Sequence, residues 1–517
     1  MIFIIQNQFY KYIIMKIATG LNFWIFLTIL GFTSFEPAVG QTVPEVRLLT
    51  GGSPTLDIKP LILPDCQDYT VEEFIAKGVA TSYKEVSKQE ADGKWLVNAN
   101  AGDTASYTTR ILVLKPKQAD KFNGKVLVEW INVSGGFDYT PARLMMWREL
   151  IRSGWAWVGV SAQRVGIEGG KNILSIPDMS LKKTNPQRYG QLHHPGDAYS
   201  FNIFSQAARL VKKPGASALL GGLVPKYVIA TGHSQSAYYL TTYVNAIDPV
   251  EKVFDGFFVY GRLGSAAALD GAEIVTSSWF TLSKPTKIRT DLRVPVMVVL
   301  AEADLIGTIL PSVGNVLGYY SARQPDTDKF RVWEIAGTAH ADHYLLHTRM
   351  TDSGCATYEN LAKAWAPGNS MMGTQPNNAP QHHYVLEAGI TAMANWVANG
   401  VKPPKAKPIE FKENDTANGK FPQPKEDELG IAKGGIRSPW VDVPTSRLSG
   451  NTPLSGLSGL VEPFGKEKLD SLYPGGRNEY MKKFEAALDK QIKAGFILPT
   501  DKKEIIEVAR ISYQGTH

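Results

Sequence analysis

The sequence predicts an α/β protein with a mostly parallel central sheet, helices on both faces, cap-like insertions and an α-helical C-terminal extension. Three observations lead there. Between about residue 108 and residue 400, short apolar runs alternate with amphipathic ones. The apolar runs are continuous rather than alternating, which marks strands buried on both faces and hence a parallel sheet covered by helices. One such run, "YVIATG", passes straight into "HSQSAYYL", so that a strand meets a helix at a tight corner occupied by a serine. Further on, one strand ends in a pair of carboxylates and another in a histidine.

The elements follow in order. Lys11 and Lys16 precede the apolar run Phe23 to Phe32, and Ala38-Val39-Gly40 offers small residues before Gln41. That pattern predicts a secretory signal peptide over residues 1–40, with Met15 an alternative start. The apolar run falls short of the about 20 residues that span a bilayer, and no Cys stands at the cleavage site to carry a lipid. The mature chain is therefore expected to be secreted or periplasmic, with no stable membrane anchor. "TRILVLKP" (109–116), "KVLVEWINV" (125–133) and "WAWVGVSAQ" (155–163) read as strands. "PARLMMWRELIRSG" (141–154) reads as a helix with Leu144, Trp147, Leu150 and Ile151 on one face, closed by Gly154. "SFNIFSQAARLVKK" (200–213) is a helix before the strand "KYVIATG" (226–232), and another helix runs from Gln235 to about Ala246. "FDGFFVYG" (254–261), "VPVMVVLAEAD" (294–304) and "FRVWEIAGTAH" (330–340) complete the strands, and "HYVLEAGITAMANWVANG" (383–400) is a long helix stopped by Gly400.

Residues 41–400 thus form the main domain, with insertions at 164–199 and 263–290. Both insertions are too long for simple connections, and both follow the carboxyl ends of strands, where sheets of this kind place ligands. They are expected to wall a pocket. Tyr189, Tyr199 and Trp279 in and beside them hint at an apolar or sugar-stacking surface. Beyond the Pro/Lys spacer "VKPPKAKP", residues 401–517 form a C-terminal extension expected to pack on the main domain, with helices from Asn478 to Ala494 and Asp501 to Ile511.

The chemistry gathers at Gly232-His233-Ser234-Gln235-Ser236. A serine on a sharp strand-to-helix turn is lifted out of the backbone, provided the residues two before and two after it are small. Gly232 and Ser236 meet that condition, with Ser236 replacing the more usual glycine. Ser234 is the candidate nucleophile, and it needs a base. The chain order then calls for an acid followed by a histidine. Asp304 is the chosen acid and Glu302 the fallback, which otherwise braces the loop. His340 is the base. The Gln235 N–H is the first oxyanion donor, and the glycine-rich loop "NVSGGFDY" (132–139) supplies the second, at Val133 or Ser134.

Of the other histidines, His343 and His347 are expected as surface or packing residues in a helix, and neither His382-His383 nor His193-His194 combines ligand spacing with nearby carboxylates as a zinc site would. No metal or organic cofactor is expected. Net charge is +6 and falls to about +5 once two Lys and one Glu leave with residues 1–40. The cations are scattered, which argues against nucleic-acid binding. Cys66 and Cys355 make an even pair, expected as one disulfide in an oxidising compartment.

"VLVEWINVSGGFD", "WAWVGVSAQRVGIEGG", "DAYSFNIFSQAARL", "ATGHSQSAYYL", "YYSARQPDTDKFRVWEIAGTAHAD" and "GGIRSPWVDVPT" together resemble a family of bacterial alpha/beta-hydrolase domain proteins. The resemblance implies an α/β-hydrolase fold with a Ser-acid-His triad and a tail integral to that unit, and it names no substrate. The resulting expectation is a serine esterase acting on a small-molecule or glycan-linked ester. An acyltransferase with the same triad and a non-catalytic binding module on a hydrolase fold are the alternatives.

Overall fold

A computed structural model of the chain describes residues 43–514 apart from 53, 57–58, 61–65, 214–216, 273–283, 311–313, 348–351, 353, 366–380, 414–420 and 451–457. The leader expected over 1–40 and Trp279 lie outside the described residues. The centre is a nine-stranded sheet built from β1 (Glu45–Leu48), β2 (Tyr69–Thr81), β3 (Thr104–Pro116), β4 (Lys125–Trp130), β5 (Ala156–Val160), β6 (Tyr227–His233), β7 (Gly256–Tyr260), β8 (Val296–Ala301) and β9 (Phe330–Ile335). Their order across the sheet is β1-β2-β3-β5-β4-β6-β7-β8-β9. The first three pairings, out to β3–β5, are antiparallel, and the five from β5–β4 to β8–β9 are parallel. The fold is therefore that of an α/β protein with a mostly parallel sheet, as the apolar runs require.

Every residue of β5, β7 and β8 is buried, because helices cover both faces. On one face α1 (Ser200–Lys212) and α2 (Gln235–Thr242) place Phe201, Phe204 and Tyr239 against Trp130. On the other, helix Pro141–Arg152 packs with α3 (His383–Asn399) and with α4 (Gly476–Ala494) and α5 (Lys502–Ser512) of the extension. Phe496 meets the Trp333 ring edge-on at 5.0 Å, while Arg148 and Arg152 pair with Glu504 and Asp501. The extension also adds to the sheet, since Ile436 bridges in parallel to Ile335 at the end of β9.

Several elements differ from the expectation. β2 and the first residues of β3 are strands that the hydrophobic pattern does not reveal. Glu72, Glu73 and Lys77 interrupt β2, yet Glu73 is buried because Arg110 and Arg188 neutralise it. The helix after Ser234 is α-helical to Thr242 and then widens into one π turn over Tyr243–Ile247. Cys66 and Cys355 form a disulfide that ties the segment before β2 to the chain beyond His340. Among the described residues no helix is long and apolar enough to cross a membrane.

Candidate active site

β6 delivers Ser234 at its carboxyl end with φ 60° and ψ −119°. A non-glycine residue with that backbone is strained by on the order of 1–3 kcal/mol and persists only where its surroundings fix it. Gly232 is part of that surrounding. A Cβ there would lie 3.0 Å from Ser236 Cβ and 3.1 Å from the Ser236 carbonyl carbon, so any side chain at 232 would have to push the start of the helix away from the strand. The Ser234 N–H donates to Tyr260 O at 3.3 Å, which anchors the corner to β7.

His340 sits five residues past β9, its ring buried. Its Nδ1 is 2.5 Å from Asp304 Oδ1 and its Nε2 is 2.8 Å from Ser234 Oγ. An ionised carboxylate only accepts, so Nδ1 carries the proton and Nε2 is left to accept from the serine hydroxyl. The second Asp304 oxygen accepts the Ala301 N–H at 2.7 Å, which fixes the carboxylate plane. Glu302, the fallback acid, does not reach His340. Its Oε2 accepts the Gly337 N–H at 2.7 Å and its Oε1 the Gly450 N–H at 3.1 Å. The two positions lie on opposite sides of the first helical turn after β8, so only one of them faces the histidine. Burial pushes the Glu302 carboxyl up to about 7.

Gln235 opens α2, and its side chain meets the loop after β4. Val133 N–H donates to Gln235 Oε1 at 3.4 Å, and Gln235 Nε2 donates to Gln163 Oε1 at 2.7 Å. The Ser134 N–H instead donates to Asn132 Oδ1 at 2.9 Å, so of the two expected positions Val133 is the one that faces Gln235. Asn132 Nδ2 donates in turn to His233 O at 3.0 Å, joining this loop to the serine corner. Behind the loop, Asp138 is held by Arg110 Nη2 at 2.6 Å.

Several residues here escaped the sequence reading. The His233 ring stacks on His340 at 4.5 Å between centroids and on Tyr260 at 4.4 Å. Burial, and then the nearness of His340, holds its pKa well below the ordinary histidine value, so it is a neutral ring. A cavity of about 110 Å³ runs from Val133 and Gln235 to Tyr239, with Arg164, Asn172 and Asp197 of the first insertion and Gly271 of the second on its walls. The aromatic hint needs correction. Tyr189 is fully buried, donating its hydroxyl to Glu73 at 2.8 Å, and Tyr199 packs against the core. Tyr239 is the aromatic on the cavity wall, and a tyrosine inside a helical core pattern carries no signal of that role.

Of the remaining histidines, His382 Nδ1 lies 3.1 Å from Asp342 Oδ2 and His343 Nε2 donates to Ala364 O at 2.9 Å. His194 Nε2 donates to Ala162 O at 2.8 Å. Among the described residues no group of three or more His, Cys, Asp or Glu side chains converges as metal ligands would.

Comparison with known proteins gives a family. The model of a family described as an alpha/beta hydrolase domain matches residues 44–507. No curated protein matches in sequence. Among solved structures, acetyl xylan esterase 1 from a Thermoanaerobacterium species aligns at 12% identity and a TM-score of 0.29, over 57% of this chain and 84% of that one. XC6422 from Xanthomonas campestris, an α/β serine hydrolase without a lid, aligns at 11% and 0.27, over 56% and 97%. Esterase Est22 aligns at 12% and 0.23, over 44% of this chain and 64% of that one. Likeness at that level says nothing about what this chain acts on.

Proposed function

The chain belongs to the alpha/beta hydrolase domain family, and from that premise we propose that it is an exported serine hydrolase that cleaves carboxylic esters. One observation carries the reading: Ser234 Oγ, His340 and Asp304 are linked at 2.8 Å and 2.5 Å on a corner whose backbone is strained at the serine. Ser234 Oγ attacks the ester carbonyl carbon while its proton passes to His340 Nε2. Asp304 stabilises the imidazolium and holds the tautomer. The carbonyl oxygen, now an oxyanion, is met by the N–H of Gln235, and by that of Val133 once the oxyanion displaces its long bond to Gln235 Oε1. The C–O bond to the alcohol breaks, and the alcohol leaves with the proton from Nε2. Water then attacks the acyl-enzyme with His340 again as base, releasing the acid and restoring Ser234. Asn132 holds the loop against the corner, and Gln163 fixes the Gln235 side chain. The leader pattern and the Cys66–Cys355 bridge support export.

The test is labelling with a fluorophosphonate, followed by a panel of esters graded in acyl length beside aryl and uronate esters. Wild-type protein is expected to label and to hydrolyse part of the panel, and Ser234→Ala to do neither while remaining folded. Transfer to an added alcohol in place of free acid would mean an acyltransferase. Folded wild-type protein that neither labels nor turns over any ester would mean a binding role instead.

A further inference from the structure

Asp304, in the short helical turn after β8, and His340, in the loop after β9, stand on separate segments at the ends of neighbouring strands and meet at 2.5 Å. Something must hold the two segments in that relation. Glu302 lies at the junction. It is 2% exposed, and a carboxylate so buried is stable only when its lone pairs are met by donors. Its Oε2 takes the Gly337 N–H from the histidine loop at 2.7 Å. Its Oε1 takes the Gly450 N–H at 3.1 Å and the Ser449 hydroxyl at 3.4 Å, both from the C-terminal extension. The Glu302 N–H donates to Thr338 Oγ1 at 3.1 Å, and the Ala303 N–H to Thr338 O at 3.2 Å.

The backbone of the extension is wedged into the same junction. A Cβ on Gly450 would lie 2.2 Å from Thr338 O, 2.6 Å from Ala303 N and 2.8 Å from Glu302 Cβ, so Gly450 touches both segments at once. Upstream, the Ile436 N–H donates to Glu334 O at 2.7 Å and the Ala336 N–H donates to Ile436 O at 3.0 Å, extending β9 towards the histidine loop. Without the extension, Glu302 would keep the Gly337 donor and lose both donors to Oε1.

We propose that segment 436–450 of the extension completes the catalytic site, and that Glu302 is the positioning residue through which it holds Asp304 on His340. The inference rests on the serine-hydrolase reading above. Glu302 touches neither substrate nor the reacting atoms and acts through Asp304. Its effect on rate comes from geometry, because a displacement of about 1 Å in such a constellation is able to lower the rate on the order of 100-fold.

The experiment uses full-length protein and compares Glu302→Gln, Gly450→Ala and Ser449→Ala, with Lys466→Ala as an exposed control in the extension. An amide at 302 turns one of its acceptors into a donor that faces an N–H. An alanine at 450 needs space that the two segments occupy. For both variants kcat, counted per fluorophosphonate-titrated serine, is expected to fall about 10- to 100-fold with KM little changed. The acid limb of the pH–rate profile is expected to move to lower pH, because an imidazolium that has lost its carboxylate is harder to form. Among the described residues Asp304 and the neutral His233 are the titratable groups against the His340 ring, and neither is altered; Glu302, itself raised to about 7, is lost in Glu302→Gln, so the limb is judged on Gly450→Ala and Ser449→Ala, which keep it. A role limited to stability would lower the titrated fraction and leave both kcat per labelled serine and the acid limb unchanged. Ser449→Ala removes the longest of the three bonds and should fold, showing a smaller change of the same kind, so it decides the matter if the other two do not accumulate. Wild-type protein that labels while the folded variants keep its kcat per labelled serine and its acid limb would overturn the inference. Wild-type protein that fails to label would overturn the hydrolase reading instead.

Discussion

Replacing Arg110 by methionine removes the guanidinium that Glu73 and Asp138 share. Both ion pairs are completely out of solvent on the arginine side, with Nη1 to Glu73 Oε1 at 3.1 Å and Nη2 to Asp138 Oδ2 at 2.6 Å. Burial alone works against the charge on Arg110, but Asp138 and Glu73 outweigh it and raise the pKa of the guanidinium. The loss falls unevenly on the two carboxylates. Glu73 keeps Arg188, whose Nε donates at 2.7 Å, and the Tyr189 hydroxyl at 2.8 Å. Asp138 keeps the Ser161 hydroxyl, and its Oδ1 has no partner among the described residues. Breaking a buried pair by deleting one member costs about 3–5 kcal/mol, chiefly because the other charge is stranded. Arg110→Met is therefore expected to lower the unfolding free energy by about 3–5 kcal/mol in urea titrations followed by tryptophan fluorescence at neutral pH. The second substitution Asp138→Asn removes the stranded charge, so the double variant should regain at least about 1 kcal/mol over Arg110→Met. A loss below about 1 kcal/mol in the single variant, or no recovery in the double, would refute the reasoning. Asp138 closes the loop that carries Val133, so the single variant should also hydrolyse esters more slowly per labelled serine.

Three further outcomes are expected. Asp304→Asn leaves the loop folded but favours the wrong tautomer of His340, so kcat should fall on the order of 10⁴-fold, measured against active-site-titrated enzyme, while Tm stays close to wild type. Gly232→Val forces a branched side chain into Ser236, whose Cβ would already be 3.0 Å from a single added methyl; about 1–3 kcal/mol of stability and the fluorophosphonate reaction should both be lost. Burial pushes the Glu129 carboxyl up to about 7, above its unfolded value of about 4.3. The folded state therefore holds the proton more tightly, and this group's contribution is fully present below about pH 4.3 and lost as pH rises towards 7. The total is on the order of 3 kcal/mol, and Glu129→Gln should flatten the fall in unfolding free energy across that window. An unchanged slope would count against it.

The serine corner is legible because its chemistry demands neighbours in sequence: an apolar strand, small residues at 232 and 236, and a helix at once. The choice of acid is harder, since Glu302 and Asp304 both follow β8. One local signal separates them. Asp304 stands three residues after Ala301 and reaches back to its N–H, as a residue in the first helical turn does, and this aims its other oxygen at His340. β2 is illegible for a different reason. Its charges look solvent-facing until Arg110 and Arg188, from β3 and from the first insertion, arrive to neutralise Glu73. Tyr189 misleads by the same route, because an aromatic in a long insertion is read as pocket when its hydroxyl is in fact spoken for by that same glutamate. The extension makes the point most sharply. Nothing near residue 450 in the sequence explains a glycine there. The explanation lies with Thr338, more than a hundred residues upstream, whose carbonyl oxygen would be 2.2 Å from any side chain placed there. Residues whose identity is set by local backbone geometry announce themselves in sequence, whereas those set by a partner's arrival do so only once the chain has folded. Glu302 is of the second kind, and for that reason its place beside the acid marks it equally well as catalyst or as brace until the donors that surround it are known.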